Sequence, residues 1–163
     1  MIMKDFAQIA DSMETLVLEW EPKLLKLTDE VLTQRRNRQK RTIKQIVGHM
    51  VDSASNNTHR VVHLQYQPSP LVFPNYATFG NNDRWIAIQN YQGEGWHNLV
   101  KLWKYANLHF AHIIRQVNPD KLSHEWQADP GHKITLKEMI EDYPKHFQLH
   151  LSEIEELILA NNS

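Results

Sequence analysis

Residues 136–158 have the sequence LKEMIEDYPKHFQLHLSEIEELI, and the rest of the chain is interpreted from this stretch. Its apolar side chains recur at three- and four-residue steps, which is typical of an amphipathic α-helix with one face in a core. His146 and His150 border that apolar face one helical turn apart, so both imidazoles lie on one side of the helix. Such a pair can chelate a divalent metal when a third ligand arrives from another helix.

A second helix begins with a similar pattern of residues. Thr42 stands three residues before Gln45, and Thr135 stands three residues before Glu138. Both pairs predict a capping box, in which the threonine hydroxyl and the Gln or Glu side chain satisfy backbone N–H groups of the first turn. His49 lies in the helix that starts after Thr42, and it is the best candidate for the third ligand.

Two further apolar stripes predict two more helices. The four predicted helices span about residues 4–28, 43–64, 96–117 and 136–158. Pro22 is expected to kink the first helix or to split it in two. Residues 67–94 predict a long connection with a short helix near Asp83, and residues 118–134 predict a loop.

We therefore expect a single all-α domain over residues 1–163. Four helices with one apolar stripe each favour an up-down-up-down four-helix bundle, with a long, partly ordered connection between helices two and three. In that topology helices two and four run in the same direction, and a modest stagger brings His49 level with His146 and His150.

Composition limits the possible functions. The net charge of the 163-residue chain is −1, which gives no overall field that attracts nucleic acid or an anionic membrane. The chain contains no cysteine, which excludes disulfides, cysteine-ligated zinc and a cysteine nucleophile, and which agrees with a cytoplasmic protein. No stretch predicts a signal peptide or a transmembrane helix. Ten histidines are many for this length, and they hint at metal chemistry.

A polar line borders the apolar stripe of the second helix and predicts the wall of a pocket, a buried polar network or the edge of an interface. His49, Ser53, Asn56 and Arg60 form this line. Asp52 or Asp142 is a candidate to orient a metal ligand, and Arg84 in the long connection is a candidate to line the site. The pocket and orienting candidates are Asp52, Ser53, Asn56, Arg60, Asp142 and Arg84.

Three neutral imidazoles suit zinc, nickel, iron or copper better than magnesium or calcium, which prefer oxygen ligands. Three protein ligands leave coordination positions open, which is typical of a catalytic site. The residue after His146 is Phe147, so the chain lacks the glutamate of the HExxH protease motif.

Two segments resemble the DinB/YfiT-like superfamily. Residues 42–53, TIKQIVGHMVDS, resemble the start of its second helix, and residues 141–150, EDYPKHFQLH, resemble its last helix with the paired histidines in place. Residues 83–85, DRW, and the length of the middle connection resemble its YfiT-type branch. Pro144 departs from the pattern expected in the last helix, which puts the placement of His146 in question.

The resemblance implies a four-helix bundle with a divalent metal on His49, His146 and His150. It also implies, in many relatives, a homodimer. We expect nickel or zinc as the metal, with iron, manganese or copper as alternatives. Several relatives are thiol-dependent transferases or isomerases. The large side chains of Trp20, Trp96 and Trp103 would offer apolar area for a dimer interface.

Three hypotheses follow for the function. The first is a metal-dependent enzyme that binds a low-molecular-weight thiol and transfers it to an electrophilic small molecule. The second is a metal-dependent hydrolase, whose general base would be Asp52, Asp142 or a loop residue. The third is a binding or interaction protein without catalysis, in which the histidines form a structural or vestigial site.

Overall fold

The computed structural model describes residues 2–160. Its four long helices confirm the predicted four-helix bundle, and the last one begins at the predicted residue. Two short helices, α2 and α4, lie in the connections on either side of the second long helix. The helices are α1 Ile2–Leu25, α2 Asp29–Gln34, α3 Ile43–Tyr66, α4 Asn81–Gln89, α5 Trp96–Arg115 and α6 Leu136–Leu159.

Both predicted capping boxes are present. The Thr42 hydroxyl accepts from the Gln45 N–H at 3.3 Å, and the Gln45 side chain accepts from the Thr42 N–H at 3.0 Å. Thr135 and Glu138 exchange the same two hydrogen bonds at the start of α6. Each box fixes the residue at which its helix begins, and hence the helical turn on which the histidines stand.

Neither proline interrupts its helix. Pro22 lies in the last turn of α1, which continues to Leu25, so the predicted split does not occur. Pro144 lies within α6, which continues to Leu159. A proline inside a helix removes one backbone donor. In α6, Tyr143 and Phe147 are buried on either side of Pro144, and this packing holds the helix together.

The helix directions differ from the predicted up-down-up-down order. α5 is antiparallel to α1, because Trp96 at its start donates to the Leu24 carbonyl while Arg115 at its end pairs with Glu14. α5 is parallel to α3, because the backbone N–H of Asn118, just after α5, donates to Gln65 near the end of α3.

α6 is antiparallel to α3, so these two helices do not run in the same direction as predicted. Asn37, just before α3, lies 3.4 Å from Glu153 near the end of α6, while Arg60 and Met139 lie together at the other end. The physical reason is the length of the segment between α3 and α5. A connection of this size can cross the bundle and deliver α5 to the end where α3 also begins.

The connections also contain a small sheet that the sequence pattern did not predict. Its strands are β1 Leu71–Val72, β2 Glu125–Asp129 and β3 His132–Thr135, in the order β1-β2-β3. β1 pairs with β2 in parallel and β2 pairs with β3 as a hairpin. Gly131, with φ of 76°, supplies the left-handed residue of the hairpin turn. The sheet places the buried Trp126 against α3.

The tryptophans that suggested a dimer interface lie largely inside the bundle. Trp103 is fully buried, Trp20 is almost so, and the indole of Trp96 donates to the Leu24 carbonyl at 2.7 Å. They leave little apolar area for a partner, and the homodimer stays a prediction. Within residues 2–160, no helix combines the length and apolar character that a membrane crossing requires.

Candidate metal centre and adjoining pocket

Helices α3 and α6 bring the three predicted histidines together. One ring nitrogen each of His49, His146 and His150 lies within 4.8 Å of the other two. The Nε2 atoms of His146 and His150 are 3.0 Å apart. Two nitrogens on one zinc ion, each about 2.0–2.1 Å from it, lie roughly 3 Å apart, so this separation fits a shared ion.

Glu153 orients the ring of His150. The carboxylate Oε2 lies 2.9 Å from His150 Nδ1 and also accepts from the Asn37 amide at 3.4 Å. A neutral imidazole that donates from Nδ1 has its lone pair at Nε2, the atom that faces His146. Carboxylates commonly play this role behind metal-binding histidines. Sequence analysis overlooked Glu153 for this role, although its position three residues after His150 was a usable signal.

The protein favours the neutral form of all three imidazoles. Burial, and then the neighbouring His150, lower the pKa of His49 to about 2. Burial and His150 also lower the pKa of His146 to about 4, although the outer side of that ring is exposed. Burial lowers the pKa of His150, while the Glu153 carboxylate opposes the change. Neutral imidazoles are the form that binds a metal, so the donors need no proton release at pH 7.

A second observation also indicates that the three histidines fit a transition metal. His49 is only 3% exposed, and its Nδ1 is buried without a hydrogen-bond partner. A buried polar atom without a partner is costly, and it is rare in native proteins. Three neutral nitrogen donors suit zinc, nickel, iron or copper, and Mg²⁺ and Ca²⁺ would require oxygen ligands.

A pocket of about 240 Å³ adjoins the histidine cluster. His146 forms part of its wall, and of the predicted candidates Ser53, Arg60 and Asp142 also line it. Asp142 lies at the open side, since its side chain is 69% exposed and pairs with Lys145. The lining residues are Ser53, Asn57, Arg60, Tyr76, Ala77, Trp126, Ile134, Met139, Asp142, Tyr143 and His146.

Three other predicted site residues lie elsewhere. Asn56 donates back to the Asp52 carbonyl at 2.9 Å, and its neighbour Asn57 lines the pocket instead. The Asp52 carboxylate accepts from Tyr91 at 2.5 Å and is outside the histidine cluster. Arg84 is exposed and donates to the Phe79 carbonyl and to Asn81, and it is not among the residues that line the pocket.

Sequence reasoning missed most of the aromatic wall of the pocket. Tyr76 comes from the long connection and Trp126 from the unpredicted sheet, so neither carried a periodic signal. Tyr143 belongs to the apolar stripe of α6, and its hydroxyl donates to Asn107 at 2.8 Å while its ring lines the pocket. Pro144 leaves His146 on the same side of α6 as His150, so the cluster stays complete.

Comparison with solved structures shows the fold. No family model and no curated protein matches the sequence. YfiT from Bacillus subtilis, described as a probable metal-dependent hydrolase with an unusual four-helix bundle topology, matches with a TM-score of 0.77 at 17% identity, over 95% of this chain and 85% of its own. A histidine-to-alanine mutant of a mycothiol-dependent maleylpyruvate isomerase matches with a TM-score of 0.73 at 12% identity, over 93% of this chain and 60% of its own. The chain therefore has the four-helix-bundle fold that the resemblance to the DinB/YfiT-like superfamily implies.

Proposed function

We propose that this protein is a divalent-metal-dependent enzyme that transfers a low-molecular-weight thiol to an electrophilic small molecule. The observation that carries the proposal is the cluster of His49, His146 and His150, three neutral imidazoles beside a pocket. Nickel or zinc is the proposed metal, because both accept three nitrogen ligands and leave positions open for a substrate.

The side chains around the histidine cluster have different roles in the proposed reaction. Glu153 holds the ring of His150 so that Nε2 faces the other two imidazoles. Met50 and Phe147 are buried and pack beside His146 and His150. When bound, a divalent transition metal would supply Lewis acidity, which favours the thiolate form of a thiol. The pocket next to His146 would then hold the electrophile close to that sulfur.

A thiol cosubstrate is proposed because the chain has no sulfur nucleophile of its own. The sequence contains no cysteine. Among the described residues, the metal-binding cluster contains no carboxylate, and the nearby Glu153 is engaged with His150 and Asn37. The solved structure with the mycothiol-dependent activity has the same fold at low identity, which adds support to a thiol.

The test is turnover by protein reconstituted with nickel or zinc. Bacillithiol, glutathione and coenzyme A would each be offered with a chloronitroaromatic electrophile, with and without a chelator. We expect thioether formation that requires both thiol and metal and that is lost in His150→Ala. The exposed His109, which lies against His112, provides the matched control His109→Ala. No metal-dependent turnover across the panel would contradict the proposal.

Hydrolysis is the second candidate, and Asp142 is the observation that favours it. Its carboxylate lines the pocket and is open to solvent, so it can accept a proton from water as a general base. YfiT, which shares the fold, is described as a probable metal-dependent hydrolase. Hydrolysis of an ester or a lactone without added thiol, lost in Asp142→Asn, would favour this candidate over thiol transfer.

A further inference from the structure

Arg60 is a buried cation for which the described part of the chain supplies no anion. The side chain is 5% exposed, its Nε is buried without a hydrogen-bond partner, and no carboxylate among the described side chains of residues 6–160 forms an ion pair with it. Arginine stays charged even here, since burial lowers its pKa only to about 10. A buried charge without a partner is costly, and it is uncommon unless a ligand completes it.

The guanidinium lies at the wall of the pocket. It stacks on the indole of Trp126, with 4.1 Å between the guanidinium carbon and the ring centroid. Stacking fixes the plane of the guanidinium and leaves its N–H groups free to bind at the edge. Trp126, Tyr143 and Met139 line the same pocket, which makes most of the remaining wall apolar. The site therefore combines one oriented cation with an apolar surface.

The pocket also reaches the histidine cluster, since His146 is part of its wall. Arg60 stands eleven residues after His49 in α3, which is about 16 Å along the helix axis. Side chains of a helix point back towards its N-terminus, so the Arg60 side chain covers part of that distance. A single small molecule can thus contact both Arg60 and the groups beside His146.

We propose that Arg60 binds the carboxylate of a small, largely apolar substrate whose reacting end lies at the histidine cluster. The guanidinium edge matches a carboxylate in a bidentate arrangement. Arg60 is the single cationic side chain among the described residues of the wall, and Asp142 adds a negative charge at the mouth, so a monoanion is balanced better than a phosphate dianion. The pocket volume of about 240 Å³ lies below the range of drug-sized sites and limits the substrate to a compact acid.

The role of this acid as a substrate rests on the proposed function. The binding of the acid to Arg60 does not, and it can be tested separately. Binding is therefore measured first in chelator-treated protein, by titration calorimetry with benzoate and with the neutral benzamide as probes. We expect benzoate to bind roughly 10-fold or more tightly than benzamide, because one charge-assisted hydrogen-bond pair is lost with the amide.

Three variants test whether the charge of Arg60 binds the benzoate carboxylate. Arg60→Met should weaken benzoate binding roughly 10-fold or more and leave benzamide unchanged, and Arg60→Lys should retain part of the preference. Arg84→Met removes an exposed arginine outside the pocket and should bind benzoate like the wild type. Equal binding of benzoate and benzamide, undetectable binding of benzoate to the folded wild type, or equal loss in Arg84→Met and Arg60→Met would overturn the proposal.

Measurements on the metal-loaded protein then distinguish the proposed thiol transfer from the proposed carboxylate binding by Arg60. If the proposed function fails and Arg60 binds anions, benzoate binding survives chelation while no thiol transfer is seen. If the Arg60 proposal fails and the enzyme is active, acidic electrophiles and their amides react at equal rates. A higher rate for the acid, which Arg60→Met abolishes while metal content stays unchanged, supports both.

Discussion

Helix α3 buries two polar regions that differ in what surrounds them. We call them the aspartate network and the histidine pocket. In the aspartate network, Oδ1 of Asp52 accepts from the Tyr91 hydroxyl at 2.5 Å and from the Gln89 amide at 2.7 Å, while Oδ2 is buried without a partner. In the histidine pocket, His49 has a buried nitrogen without a partner and Arg60 has a buried guanidinium without an anion.

The difference separates a structural region from a candidate functional one. Tyr91 packs its ring against Gly48, where a Cβ atom would collide with that ring, so the aspartate network fastens the long connection to α3. The histidine pocket has an open side and lacks the donors and acceptors that would complete it. Both regions keep a buried polar atom without a partner, and what distinguishes the histidine pocket is that three imidazoles and a buried cation lie beside an open cavity that an ion or a ligand can enter.

The largest expected effect tests whether the histidines are ligands or core residues. Phe147 is 3% exposed and packs against Trp103, so Phe147→Ala should lower the free energy of unfolding by ~3–5 kcal/mol. His150→Ala should lower the stability of the metal-free protein much less, and it should abolish most metal binding. Urea unfolding with a chelator, followed by metal titration, measures both. Equal destabilisation by the two variants, with metal retained in His150→Ala, would make His150 an ordinary core residue.

The next effect concerns the aspartate network. Tyr91→Phe removes the hydroxyl that donates to Asp52 and keeps the ring against Gly48. We expect a loss of ~1.5–3 kcal/mol in unfolding free energy, since the hydrogen bond is made to a buried carboxylate. Metal content and benzoate binding should stay at the wild-type level. A fall in metal affinity with unchanged stability would show that the two regions of α3 are not separate.

A third prediction concerns how the unfolding free energy of the chelator-treated protein changes with pH, because this change reports the burial of His49. Its pKa in the folded state is about 2, below the ordinary value of 6.5, so above pH 6.5 its contribution to stability is fully present. The contribution is lost as pH falls from 6.5 towards 2, because the unfolded chain takes up the proton first. Between pH 6 and 5 the loss from His49 should be about 1 kcal/mol.

The matched variant for this measurement is His49→Gln. Its unfolding free energy should fall less steeply with acid than that of the wild type, by about one proton. Identical pH dependence of the two proteins would mean that His49 is as free to take up a proton in the folded state as in the unfolded state.

The smallest expected effect on stability comes from Arg60. Replacing a buried, unpaired charge with an apolar side chain is often neutral or stabilising, and the loss of stacking on Trp126 opposes the gain. We expect the unfolding free energy of Arg60→Met to lie within about 1 kcal/mol of the wild type. Urea unfolding of Arg60→Met and Tyr91→Phe, measured side by side, compares the two losses of stability. A loss larger than that of Tyr91→Phe would place Arg60 among the structural residues.

The sequence predicted the histidine cluster even though it predicted the wrong helix directions. Periodicity and capping placed His49 early in α3 and His150 late in α6, and antiparallel helices bring those two levels together. An apolar stripe shows which face of a helix is buried, but it carries no information on the direction of the neighbouring helix. That direction is set by the long connection and by contacts such as Gln65 with Asn118.

The pocket was predictable only where its wall is helical. Ser53 and Arg60 follow from the period of α3. Tyr76 and Trp126 reach the pocket from a connection and from a strand, through pairings distant in sequence such as Leu71 with Trp126. Spacing alone does not identify Glu153, because its hydrogen bond to His150 depends on side-chain direction as well.

We propose that His49, His146 and His150 together hold one metal ion. The direct measurement is elemental analysis of protein purified without a histidine tag, after incubation with nickel or zinc and removal of the excess. The claim predicts about one ion per chain in the wild type and in His109→Ala, and little in His49→Ala, His146→Ala or His150→Ala, each still folded by circular dichroism. No bound metal in the wild type, or full occupancy in any of the three single variants, would contradict it.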